Sequence, residues 1–133
     1  VSTARDDALL TWLALEREAV WFYPYAGARV PAIADRARAA AADHALVRDR
    51  LLGLVEQDTT RVRPGYDVGE LDSADAVSAA ARDLEQRIQA ACLGVVAAPA
   101  GEARQLGVRA LRTAALAELD WSETARAYPG LDG

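Results

Sequence analysis

Four stretches of the chain carry apolar or small residues in alternating steps of four and three, and proline or glycine marks the gaps between them. Such steps are the stripe that one face of an α-helix presents to a core. The first stretch, LLTWLALEREAVWFYPYAG over 9–27, holds the most information. Its row is Leu9, Leu13, Glu16, Val20, Tyr23 and Gly27. Every member is apolar, aromatic or small except Glu16, so a carboxylate stands mid-helix in the row that faces inward. The same stretch holds five of the chain's eight aromatic residues: Trp12, Trp21, Phe22, Tyr23 and Tyr25.

The pattern predicts a single domain over 1–133, with helices over about 4–27, 31–57, 73–98 and 102–127. Thr3 is placed to cap the first helix, with Asp6 three residues on. Pro24 removes a backbone donor and crowds the preceding turn, so a kink is expected near Val20 or Trp21. Pro31 suits the first position of the second helix. Its inward row is Ile33, Ala37, Ala40, His44, Val47, Leu51 and Leu54, and His44 is the only histidine. The third row is Val77, Ala81, Leu84, Ile88, Ala91, Val95 and Ala98, flanked by Glu85, and Asp72 or Ser73 can cap that helix. The fourth is Leu106, Ala110, Ala114, Ala117, Trp121 and Ala125, with a neighbouring line through Val108, Leu111, Ala115 and Glu118.

Between the second and third helices, DTTRVRPGYDVGELD over 58–72 keeps no helical period. Extended, it reaches about 50 Å, whereas a helix of this size is about 38 Å long. It is therefore long enough to cross the whole assembly and make helices two and three parallel. A slack loop in a plain up-down bundle is the alternative.

Composition narrows the function classes. The chain is 52% hydrophobic but only 6% aromatic, so its core is built mainly from Ala, Leu and Val. A net charge of −5 argues against nucleic acid and against anionic membranes as partners. The lone Cys92 allows no intramolecular disulfide and no cysteine-rich zinc site, and it reads as a small core residue. No apolar run is long enough to span a bilayer, and a cytoplasmic location is expected.

Glu16, His44 and Glu85 each lie near mid-helix, where facing helices of a bundle can bring them together. The simplest reading is a buried polar group that fixes helix register, with Glu16 and His44 bonded to each other or to Arg48 or Arg82. A sharper one is a single-metal site, since carboxylates and an imidazole in a bundle core suit a transition metal. The aromatic residues of the first helix cover more than one side of it. Tyr23 reads as core, with Trp21 or Tyr25 under the long loop; an exposed remainder would form a homodimer interface or a ligand site.

The stretches ALLTWLALEREAVWFYPYAGARV, DHALVRDRLLGLV and DLEQRIQAACLGVV, with the Ala-rich last helix, resemble the ferritin-like superfamily. More closely, they resemble an actinobacterial ferritin-like family of unknown function. The resemblance implies an all-α, ferritin-like four-helix bundle with a long crossover loop between helices two and three. Ferritin-like di-iron proteins carry a Glu on each of two helices and Glu-x-x-His on each of the others. By that resemblance Glu16 and Glu85 match the first- and third-helix glutamates. His44 matches a second-helix histidine, but Ala41 stands where the motif has Glu. The last helix has no histidine, and although Glu118 or Asp120 can lean inward, neither completes the motif.

A full di-iron site is therefore not expected. The expectation is a non-catalytic homodimer with a degenerate metal site and no cofactor, acting through contacts with an unknown protein partner. One alternative is a mononuclear iron- or manganese-binding, oxidoreductase-like protein using Glu16, His44 and Glu85, with Glu118 as a further ligand. The other is a carrier of a small apolar ligand held by Trp12, Trp21, Phe22, Tyr23 and Tyr25.

Overall fold

The computed structural model describes residues 3–97 and 101–127, with side chains as far as residue 123. It is all-helical among these residues: α1 (Ala4–Arg29), α2 (Ala34–Leu52), α3 (Ala74–Val96) and α4 (Glu102–Ala127), with one 3-10 turn at Pro31–Ile33. The expected members Ala98 and Ala125 of the inward rows lie outside the described side chains.

Local chemistry sets most of the boundaries. Thr3 Oγ1 accepts from the Asp6 amide and the Asp6 carboxylate accepts from the Thr3 amide, a complete capping box at the start of α1. Ser73 Oγ accepts from the Ala76 amide and starts α3. Helix α1 runs without interruption through Pro24 and reaches Arg29, two residues past the expected end. The second helix differs from expectation at both ends. Pro31 opens a 3-10 turn, and the α-helix begins only at Ala34. It stops at Leu52, where the Gly53 amide turns back to the carbonyls of Asp49 and Arg50. Leu54 and Val55 still pack against the core from outside the helix.

One apolar core joins the four helices. Helix α1 packs on both α2 and α3, and α3 packs on α4. Gly27 in α1 comes close to Ala34 and Ala37 in α2, and Ala8 near the start of α1 faces Gly94 near the end of α3. The connection from Gly53 to Ser73 lies along α1. Asp58 and Thr60 bond Arg17, Tyr66 and Gly65 lie against Trp21, and Glu70 to Asp72 share a recess with Ala28 and Arg29.

Helix α1 is thus covered on several sides, which explains why Trp12, Ala19, Phe22 and Ala26 are buried besides Leu9, Leu13, Glu16 and Tyr23 of its predicted row, while Val20 and Gly27 are half-buried. By contrast α2 and α4 touch only marginally. Ala40, Val47 and Ala117 are half-buried on that open side. Of the neighbouring line expected on α4, Val108 and Ala115 are exposed, whereas Leu111 packs half-buried against the core and Glu118 is half-buried. No described helix is long and apolar enough to cross a membrane.

Candidate functional site

The three polar residues in or beside the inward rows meet in the core. Glu16 is 1% exposed, Glu85 0% and His44 9%. His44 stands between the two carboxylates: Nδ1 lies 2.6 Å from Glu16 Oε2 and Nε2 lies 2.7 Å from Glu85 Oε1. Arg48 bonds Asp49 instead, so it is not the partner considered from the sequence. Arg82 has a buried Nε with no hydrogen-bond partner and takes no part in the cluster.

Two residues of α1 complete the arrangement. Trp12 Nε1 donates to Glu16 Oε1 at 2.9 Å, and the Tyr23 hydroxyl donates to Glu85 Oε1 at 2.6 Å. The sequence marks both only as aromatic surface or core and does not reveal these bonds. For Trp12 a signal was there, since it precedes Glu16 by four residues and so shares its helix face. For Tyr23 there was none, because its acceptor is on α3.

Tyr23 also stacks on the His44 ring at 5.5 Å between centroids and on Trp121 at 5.7 Å. Arg36 in turn covers the Trp121 ring at 5.2 Å and pairs with Asp120 at 3.4 Å.

The electrostatics follow from this geometry. A neutral imidazole would aim one lone pair at a carboxylate oxygen less than 3 Å away, which is repulsive; a doubly protonated ring donates to both. Burial by itself pushes the His44 pKa down. The hydrogen bonds and charges of Glu16 and Glu85 outweigh it and raise the pKa from 6.5 to about 10. Tyr23 is held well above the usual phenol range by burial and by the Glu85 charge beside it. The same combination of burial and the two glutamates raises the Cys92 thiol to about 12, which makes it an unreactive core group.

The cluster is not sealed. A cavity of about 640 Å³ lies between α2 and α4, and Glu16, His44 and Glu85 are among its lining residues. Its walls include Val47, Ile88, Leu106 and Trp121, with Arg36, Asp43, Arg50, Arg109 and Asp120 also lining it. Glu85 Oε2 is buried and has no hydrogen-bond partner.

Glu118 stands apart from the cluster. Its carboxylate accepts from Gln86 and Gln89 on α3, at 2.8 and 2.7 Å. Of the five aromatic residues expected at an interface or ligand site on α1, three are taken up by the core. Trp12, Phe22 and Tyr23 are in the interior. Trp21 is half-buried, stacked on Tyr25 at 4.8 Å and on Tyr66 of the connection at 5.4 Å. Core packing and the 53–73 connection use these rings, and Trp21 and Tyr25 stay half-buried. Among the described residues no group of three or more His, Cys, Asp and Glu side chains is arranged to hold a metal ion.

The chain belongs to a family described as a domain of unknown function (DUF4439), whose model matches residues 8–133. Its fold is similar to that in a crystal structure of rv2844, a conserved hypothetical protein from Mycobacterium tuberculosis. The TM-score is 0.83 at 24% identity, covering 95% of this chain and 93% of that one. At that identity the likeness concerns the fold alone. No protein with a curated description matches the chain.

Proposed function

We propose that the protein is a non-catalytic binding protein on a ferritin-like four-helix bundle, in which the His44 imidazolium lies between two core carboxylates in place of a metal ion. The observation that carries this reading is the pair of hydrogen bonds from the two ring nitrogens, at 2.6 and 2.7 Å. A metal ligand needs a ring nitrogen with a free lone pair. Here each nitrogen faces a carboxylate oxygen, and a pKa of about 10 keeps both protonated near neutral pH. We read this donor set as holding an internal cation, and no redox or hydrolytic step is derived from it.

The ferritin-like chain path is favoured by the contacts around α1. Its end packs near the start of α2, and its start packs beside Gly94 at the far end of α3. Those contacts support α2 and α3 running in the same direction, joined by a connection that crosses the assembly along α1. The binding function is placed at the α2–α4 cavity and not at the α1 aromatics, because the cavity opens onto the polar cluster while the aromatic rings are covered.

The test is anaerobic incubation with Fe(II), Mn(II) or Zn(II), then desalting and elemental analysis. The expected result is no retained metal. Retention near one equivalent per chain, lost in His44→Ala, would overturn the reading and revive the mononuclear alternative.

A further inference from the structure

The cavity between α2 and α4 is elongated. Its lining runs from Arg36 to Arg50 on α2 and from Leu106 to Trp121 on α4. From Arg36 to Arg50 the helix rises about 21 Å, some four turns, which suits a helix laid along the recess. Arg36 sits against Asp120 and Trp121, so Arg109, earlier on α4, lies toward the Arg50 end. The floor includes Glu16, His44 and Glu85, whose imidazolium offsets one carboxylate and leaves one negative charge in excess. Asp43, Arg50 and Arg109 are exposed on the rims. None of the three enters an ion pair among the described residues. Between Asp43 and Arg50 stands Leu46, 65% exposed, beside the half-buried Val47. Ala39 and Ala40 extend the same lining side of α2, so the strip has the spacing of a helix–helix seam.

This strip is complementary to its own reverse. When two copies lie antiparallel about a two-fold axis between Leu46 and Val47, position 43 of one faces position 50 of the other, and 46 faces 47. Both outer contacts then join opposite charges. A register with Asp43 on the axis sets Asp43 against itself and Arg36 against Arg50, like charge on like. A register pairing Arg36 with Asp43 draws Arg36 away from Asp120 and Trp121.

We propose that the cavity is occupied by α2 of a second copy of this chain, with the partner's Leu46 in the recess and the partner's Asp43 between Arg50 and Arg109. The contact is isologous, so each chain's recess receives the other's leucine. The partner's Arg50 comes to Asp43 beside the cluster. With the His44 cation counted, Asp43 and the cluster still carry two negative charges there, so attraction prevails. The homodimer surface then lies on α2 and α4 and not on the aromatic residues of α1. This inference rests on the reading of the α2–α4 cavity as the binding surface over a metal-free cluster. The two fail differently: retained metal overturns that reading, and a metal-free monomer overturns this one.

The experiment is sedimentation equilibrium of the full, metal-free chain from about 1 μM to 1 mM. A reversible two-chain species is expected. Leu46→Glu, Asp43→Arg and Arg50→Asp change exposed side chains and should keep the helical circular dichroism. Each should weaken dimerisation roughly a hundredfold, because the two-fold axis repeats every change. An equimolar mixture of Asp43→Arg and Arg50→Asp should form a mixed dimer, since each supplies the sign the other lacks. Leu46→Glu should be rescued by neither. A monomer throughout the range would overturn the proposal and leave the recess to a small molecule or a foreign helix. A dimer undiminished by Leu46→Glu, or charge variants that fail to complement each other, would overturn it as well.

Discussion

If His44 is an imidazolium held by two buried glutamates, the stability of the protein must fall as the solution becomes alkaline. The folded pKa of about 10 lies above the ordinary value of 6.5. Below pH 6.5 the ring is protonated in both the folded and the unfolded chain, so its stabilising contribution is complete. Above 6.5 the unfolded chain loses that proton first, and the contribution shrinks until the folded ring also titrates near 10. Each unit between the two pKa values corresponds to about 1.4 kcal/mol, so the full interval is worth roughly 5 kcal/mol.

The useful window is narrower. Above pH 9 the unfolded Cys92 and tyrosine side chains also begin to ionise before the folded ones, which adds loss of the same sign. Between about pH 6.5 and 8.5 the His44 contribution alone should fall by roughly 2 to 3 kcal/mol. Urea unfolding at closely spaced pH values measures this, and the same series on His44→Gln subtracts every other group. The variant should start about 3–5 kcal/mol less stable, because it leaves two buried carboxylates without their cation, and its curve should be flat by comparison. Nitrogen chemical shifts give an independent reading on the wild-type chain, where the single histidine makes the assignment unambiguous. At pH 8 both ring nitrogens should report the protonated form. Equal slopes for wild type and His44→Gln, or neutral-imidazole shifts at pH 8, would show that the ring is not the internal cation.

Further substitutions test the surroundings. Tyr23→Phe keeps the ring stacks but removes the hydroxyl donor to Glu85, and should cost about 1–3 kcal/mol in chemical denaturation without changing the helical circular dichroism. Trp121→Ala empties a position that is 2% exposed and should cost about 3–5 kcal/mol. Thr3→Ala breaks the capping box of α1, with an expected loss of about 1 kcal/mol read from the thermal midpoint.

Some features were legible without tertiary information because short-range physics sets them. The caps at Thr3 and Ser73 need only a hydroxyl three residues before an amide. The spacing of apolar residues located four helices, and it isolated Glu16 and His44 as polar members of inward rows. Where several elements cover one helix, that method fell short. The single row on α1 left out Trp12, Ala19, Phe22 and Ala26, since α2, α3 and the 53–73 connection all pack on that helix. The end of α2 was also misjudged. The apolar spacing continues through Leu54, but burial does not require helix, and Leu54 reaches the core after the chain has turned at Gly53.

The amino-acid order marked Glu16 and His44 for burial, because each sits at an inward position of its own helix, and set Glu85 beside such a row. It did not fix their pairing. Whether His44 would meet one carboxylate, two or an arginine depended on the relative rotation and offset of α1, α2 and α3, which arise from packing across the whole core. That packing set both ring nitrogens against glutamates, brought the Tyr23 hydroxyl to Glu85, and turned the aromatics of α1 inward or under the connection. It also left α2 and α4 apart, opening a cavity that Glu16, His44 and Glu85 help to line. Helical period is a property of one segment; a gap between two helices far apart in the chain is a property of how all the segments fit.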